Sequence, residues 1–158
     1  MNKEDVVVFT IFGEPQGKAR PRVVRNRFTG NTVVYTTDKT KQYEAEVRNA
    51  FLRKAVSNTD GVKILTKPVF EISAVSVNIT AYFGIPKSKS KKYRQMMLSG
   101  EIHPTKKPDC DNIAKIICDA LNGYAYKDDA QIIKINVIKQ YSDEAKVVVE
   151  ISSWSDTK

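Results

Sequence analysis

The chain has 158 residues, 41% of them hydrophobic and 28% charged, and its 26 Lys and Arg against 18 Asp and Glu leave a formal net charge of +8. That length suits one domain with a continuous core, so a single unit over 1–158 is expected. No apolar run of about 18 residues exists to cross a membrane and the N-terminus lacks the order of a secretory signal, which predicts a soluble cytoplasmic protein with a polyanionic partner.

Residues 5–12, DVVVFTIF, are β-branched and aromatic and predict a strand that stops at Gly13. The following GEPQGKARPRVVRNR carries two Gly, two Pro and the cations Lys18, Arg20, Arg22, Arg25 and Arg27. It reads as the start of an exposed basic arm over about 13–36. Prolines limit the conformations of Arg20 to Arg22, so those side chains lose less entropy on settling against phosphates. FTGNTVVYTT predicts a short hairpin with Gly30-Asn31 as its turn.

From Asp38 to Val56 there is no Gly or Pro, and Tyr43, Val47, Ala50, Phe51 and Lys54 fall at helical spacing. The opposite face, with Lys41, Glu44, Arg48 and Arg53, reads as solvated. A loop follows over 58–68. Residues 69–83, VFEISAVSVNITAYF, predict a strand whose apolar phase changes from even to odd, which a bulge near Ala74 or burial of both faces would reconcile. GIPKSKSKKYRQMMLSG predicts a short helix capped by Ser88 or Ser90, with Lys87, Lys89, Lys91, Lys92 and Arg94 as a second set of cations for contact with phosphates. His103, the only histidine, reads as an ordinary surface residue.

The stretch from Lys106 to Ile132 concentrates acid inside a basic chain. Ile113, Ile116, Ile117, Ala120 and Leu121 define an apolar helix face, Asn122-Gly123 ends it, and Asp111 is available as its N-cap. Cys110 and Cys118 are too far apart on that helix to bridge each other. Asp109, extended and two residues earlier, faces the same point as Asp111, and Lys115 lies one helical turn on. Asp128 and Asp129 return at the start of the final sheet, while Lys106 and Lys107 add cations before the helix.

Two carboxylates about 4 Å apart repel by roughly 4 kcal/mol at an effective dielectric of 20, a cost that a divalent cation removes. Hard oxygen ligands and a phosphate substrate favour Mg²⁺, with Mn²⁺ as a substitute. The D-x-D spacing by itself also serves glycosyltransferases and phosphatases, and one acid could merely cap the helix. IIKINVIKQY and AKVVVEISSW then predict an antiparallel pair around Ser142-Asp143-Glu144. The whole is expected to be α+β, a mixed β-sheet with helices packed on one face.

Taken together, KPDCDNIAKIICDALNG, AYKDDAQI and GEPQGKARPR resemble the RusA family of Holliday-junction resolvases, found in bacteria and often carried by prophages. The resemblance implies a RusA-like fold and a homodimeric, Mg²⁺-dependent endonuclease that makes paired nicks in four-way DNA junctions during recombination and repair. By position, Asp109 and Asp111 match the first two family acids, Asp129 the third and Lys115 the family's essential lysine. Asp128 is a further candidate metal ligand, and Asp119 a helix-surface acid. Two rivals predict differently: a nuclease for flaps, forks or other branched DNA, and a DNA-binding protein without catalysis whose acids are caps and loop ligands.

Overall fold

The computed structural model describes residues 6–57 and 67–154. In chain order the elements are β1 (Val6–Phe12), β2 (Arg22–Arg25), β3 (Thr32–Tyr35), α1 (Asp38–Ser57), β4 (Val75–Gly84), α2 (Lys91–Leu98), α3 (Cys110–Leu121), β5 (Ile132–Ser142) and β6 (Lys146–Ser153). The loop expected after α1 lies, at 58–66, outside the described residues.

Alternation builds the main sheet. Val7, Phe9 and Ile11 of β1, the odd residues of β4 from Val75 to Phe83, and Val147, Val149 and Ile151 of β6 are all buried on one face. Helices α1 and α3 cover that face with Tyr43, Val47, Ala50, Phe51, Ile113, Ile116, Ile117, Ala120 and Leu121, and Phe9 meets Phe51 edge to face at 5.6 Å. Each fully buried Ile of α3 contributes about 1.5–3 kcal/mol relative to exposure. The expected α+β domain with a mixed sheet is therefore what the chain forms, and both long helices fall where their periodicity put them. At the end of α1 the buried position belongs to Ala55, with Lys54 exposed.

Three expectations about strands are corrected. The last two strands are not neighbours: the sheet order is β1-β6-β4-β5, with β6 antiparallel to both β1 and β4, and β5 parallel to β4. The short connection at 143–145 allowed a hairpin, but β4, whose alternate residues from Val75 to Phe83 are all buried, is paired on both edges only if it lies between them. Regular pairing begins at Val75 rather than at 69, with Ile72 exposed, so the change of phase marks the strand's start. The register shift falls at Val75/Ser76, where Ile133 is the extra residue on β5.

The third correction concerns the arm. Its hairpin is β2 with β3, pairing Arg22 with Tyr35 and Arg25 with Thr32, so RVVR forms the first strand. The turn runs from Asn26 to Asn31, longer than the two-residue turn expected at Gly30-Asn31, because Asn26 bonds across it to both Gly30 and Asn31.

Candidate active site

The site begins where α3 begins. Asp109, extended at φ −75° and ψ 158°, is the N-cap residue, and Asp111 lies in the first turn, two positions from the cap expected for it. Either Asp suits a cap by composition; the extended backbone at Asp109 decides where the helix starts. Yet the Asp109 carboxylate makes no capping hydrogen bond. Both acids thus stand exposed at the positive end of the helix dipole, and among the described residues no hydrogen bond or ion pair uses their carboxylate oxygens. Among the described residues, Asp109, Asp111, Asp129 and Lys115 enter no ion pair.

The second acid pair is held by its neighbours. Asp128 caps a 3₁₀ turn, Asp129–Gln131, by accepting from the Ala130 amide at 2.9 Å. Gln131 completes the capping box: its Oε1 accepts from the amides of Lys127 and Asp128, at 2.7 and 3.2 Å. Its Nε2 donates to the carbonyls of Phe70 and Ser73, at 2.9 and 2.8 Å. One side chain therefore ties the acid turn to the segment that enters β4. Just upstream, fully buried Tyr126 donates its hydroxyl to the Cys118 carbonyl of α3 at 2.9 Å, and burial drives its pKa far above the ordinary phenol value.

Burial also pushes the Cys118 thiol up to about 11, and the negative charges of Asp119 and Asp129 add to both shifts. Asp129 thus lies within electrostatic reach of the second half of α3, whose first turn carries Asp111 and whose middle carries Lys115. Among the described residues, however, no three His, Cys, Asp or Glu side chains gather closely enough to hold a metal ion. The donor chemistry suits a hard cation, but Asp109, Asp111 and Asp129 do not form a closed ligand set within the chain.

The basic arm is anchored to this site at its base. The Lys18 amide donates to the Asn112 carbonyl at 3.0 Å, and a Cβ at Gly17 would lie 2.8 Å from the Pro108 Cβ and 3.0 Å from the Asn112 Cβ. Glycine is needed there for the two backbones to approach. Lys18, expected on DNA with the arm's other cations, turns inward to Glu44 of α1 and to Asp119 of α3, the latter at 3.0 Å. Burial alone would lower its pKa, but hydrogen bonds and charge from Glu44 and Asp119 outweigh that and raise it. A cleft of about 410 Å³ opens beside this clamp, lined in part by Gly17, Lys18, Lys39, Thr40, Lys107 and Asp109.

The remaining cations fall in separate places. Arg20, Arg22, Arg25 and Arg27 are exposed on the arm. Lys87, Lys89, Lys91 and Lys92 are exposed at the start of α2, with Lys89 over the Tyr93 ring at 5.0 Å and Arg94 within 3.9 Å of Asp143. Ser90 caps that helix, accepting from the Tyr93 amide. Lys106 lies over Phe83 at 5.2 Å. His103 and Cys110 are exposed.

Sequence reasoning missed Gln131, Tyr126 and Gly17. A signal existed for Gln131, since D-x-x-Q is the spacing of a capping box. None existed for its bonds to Phe70 and Ser73, which are 61 and 58 residues away.

Carboxylates free of hydrogen bonds among the described residues thus stand at a helix start, beside a cleft lined by lysines in a strongly basic α+β domain. The family model described as Endodeoxyribonuclease RusA matches residues 13–152, and the chain belongs to that family of endodeoxyribonucleases. It is also similar to the uncharacterized protein YqaN of Bacillus subtilis (strain 168), 35% identical over 154 residues, which are 96% of this chain and 99% of the relative.

Proposed function

We propose that the protein is a Mg²⁺-dependent endonuclease that resolves four-way DNA junctions by paired symmetric nicks, as a homodimer, in DNA recombination and repair in the bacterial cytoplasm. The observation that carries this reading is the pair of unbonded carboxylates, Asp109 and Asp111, at the α3 start of a chain that belongs to the RusA family. Asp109, Asp111 and Asp129, which are not gathered into a ligand set in the unbound chain, would close on Mg²⁺, or Mn²⁺ in its place, together with the substrate phosphate. When bound, such an ion lowers the pKa of water and offsets charge on the phosphate.

Each residue then has a task. Asp129 is preferred to Asp128 as a ligand because Asp128 already spends an oxygen on the Ala130 amide. Lys115, unpaired and one turn after Asp111, stabilises negative charge that develops on the scissile phosphate. The lysine-lined cleft beside Asp109 gives the adjoining backbone a place to lie, while the arm arginines and the α2 cations hold DNA phosphates further out. Exposed Ile133, Ile135 and Ile138 on the edge strand β5 support association with a second copy, since such an edge is seldom left uncovered.

The test is cleavage of a synthetic four-way junction with and without Mg²⁺, by the wild type and by Asp111→Asn. Symmetric nicks that need the metal and are lost by at least about a hundredfold in the variant, with junction binding and thermal stability retained, are expected. Undiminished cleavage by the variant overturns the assignment. Equal cutting of flaps and forks would replace junction resolution with a broader branched-DNA nuclease.

A further inference from the structure

The tip of the arm carries a side chain that the proposed chemistry does not use. Phe28 is 100% exposed at the apex of the β2–β3 hairpin. The turn beneath it is closed by hydrogen bonds. Asn26 Oδ1 accepts from the amides of Phe28 and Thr29, at 2.8 and 3.2 Å. The Asn26 amide donates to the Asn31 carbonyl at 2.8 Å, and the Gly30 amide to the Asn26 carbonyl at 2.9 Å. Gly30 takes φ +70°, which its lack of a Cβ permits. Thus an ordered turn holds an aromatic ring in water, where it gains nothing from burial.

The ring does not stand alone. On one face of the ribbon the cross-strand pair Val24 and Val33 is about half exposed, and Phe28 borders a shallow concavity of about 570 Å³ with these two valines, Arg25 and Arg27. Contiguous exposed apolar surface of this kind marks a contact site. Its rim of arginines, Arg25 and Arg27, favours a polyanion and disfavours a cationic partner. A duplex side offers phosphates but hides the faces of its bases. Bases at a branch point expose those faces, and stacking on an aromatic side chain is indifferent to which base is present.

We propose that Phe28 stacks on unpaired or end-exposed bases at the branch point of the bound DNA, with Arg25 and Arg27 on the flanking phosphates. This rests on the reading of the protein as a nuclease of branched DNA. The hairpin starts from Lys18, whose amide is bonded to α3, and ten residues of chain reach at most about 35 Å. That distance is about one turn of duplex, so tip and carboxylates serve one branched molecule. The pre-formed turn means that little ordering entropy is lost on contact.

The experiment uses the full chain and a four-way junction with 2-aminopurine at the branch point, with Ca²⁺ in place of Mg²⁺, beside a matched duplex. Wild-type protein should raise 2-aminopurine fluorescence on the junction and leave the duplex unchanged. Phe28→Ala should abolish that rise and weaken junction binding roughly 5- to 150-fold, the range that loss of one stacked base implies, while duplex affinity stays within about twofold. Phe28→Trp should restore the junction affinity. An unchanged fluorescence rise and junction affinity in Phe28→Ala, from a wild type that cuts junctions, overturns the inference and leaves the functional reading intact. A shift of Phe28→Ala from dimer to monomer with the fluorescence rise retained assigns the face to a second copy and equally overturns it. Failure of the wild type to bind or cut any junction defeats the functional reading, and this inference with it.

Discussion

The acid turn at 128–131 and the basic arm at 20–34 are both exposed and strongly charged, yet they are held in opposite ways. The acid turn is tied to distant parts of the fold: Gln131 bridges it to Phe70 and Ser73, and Tyr126 bolts the preceding loop to α3. Among the described residues, every hydrogen bond of the hairpin from Arg22 to Val34 stays inside the hairpin. The difference matches two physical needs. Ligands and charged groups that act on one phosphorus atom must be fixed to within fractions of an ångström. Contacts to a phosphate backbone act through long-range, salt-screened attraction and tolerate movement.

The sharpest way to test that contrast is to remove the arm's charge. Arg20, Arg22, Arg25 and Arg27 replaced together by Ala should weaken DNA binding by about a hundredfold or more at moderate salt and reduce the slope of log K against log salt by roughly 3–4. Thermal unfolding should not change, because these side chains support no part of the core. A fall in Tm of several degrees would show that the arm is part of the folded body after all.

The reverse pattern is expected of Gln131→Ala. Loss of its bonds to two carbonyls and two amides should cost about 1–3 kcal/mol and lower kcat for junction cleavage roughly 10- to 100-fold, with DNA affinity little changed. Single-turnover cleavage alongside a binding isotherm separates the two. Weakened binding with normal turnover would place the acid turn on the DNA-holding side of the comparison.

Gly17→Ala tests the joint between the regions. The new methyl group would press on Pro108 and Asn112, and overpacking of this kind costs about 1–3 kcal/mol. A Tm lower by roughly 2–10 °C is expected, with reduced cleavage because the start of α3 must move. Unaltered values for both would mean that the arm base and α3 separate freely.

The smallest effect concerns thiols. Cys110 is exposed and Cys118 buried, so a thiol reagent at pH 8 should label one site quickly and the second only on unfolding. Burial raises Cys118 from 9.0 to about 11, so between those values the folded chain keeps a proton that the unfolded chain has lost. Stability therefore falls as pH rises through that window, a contribution that Cys118→Ala should remove from the pH profile of unfolding.

Much of the fold could be read directly because it depends on local repetition. The i, i+3, i+4, i+7 pattern from Ile113 to Leu121 defines α3 whatever it packs against, and the alternation from Val75 to Phe83 defines β4 in the same way. The clustering of Asp109, Asp111, Lys115 and Asp129 in one stretch was likewise legible, together with its resemblance to the RusA family. What stayed hidden depends on partners far away in the chain. Nothing local says that β6 enters the sheet between β1 and β4, because either edge of a strand can accept a ladder.

The same holds at the site. Composition gave Lys18 the same meaning as Arg20 and Arg22, and only the packing of α1 against α3 brings Glu44 and Asp119 together to draw it inward. By itself the sequence determined the helices, the strands' buried faces and the charges of this protein, since each follows from side chains a few residues apart. Tertiary structure decided which charges are held and which are free, because that depends on surfaces meeting across tens of residues.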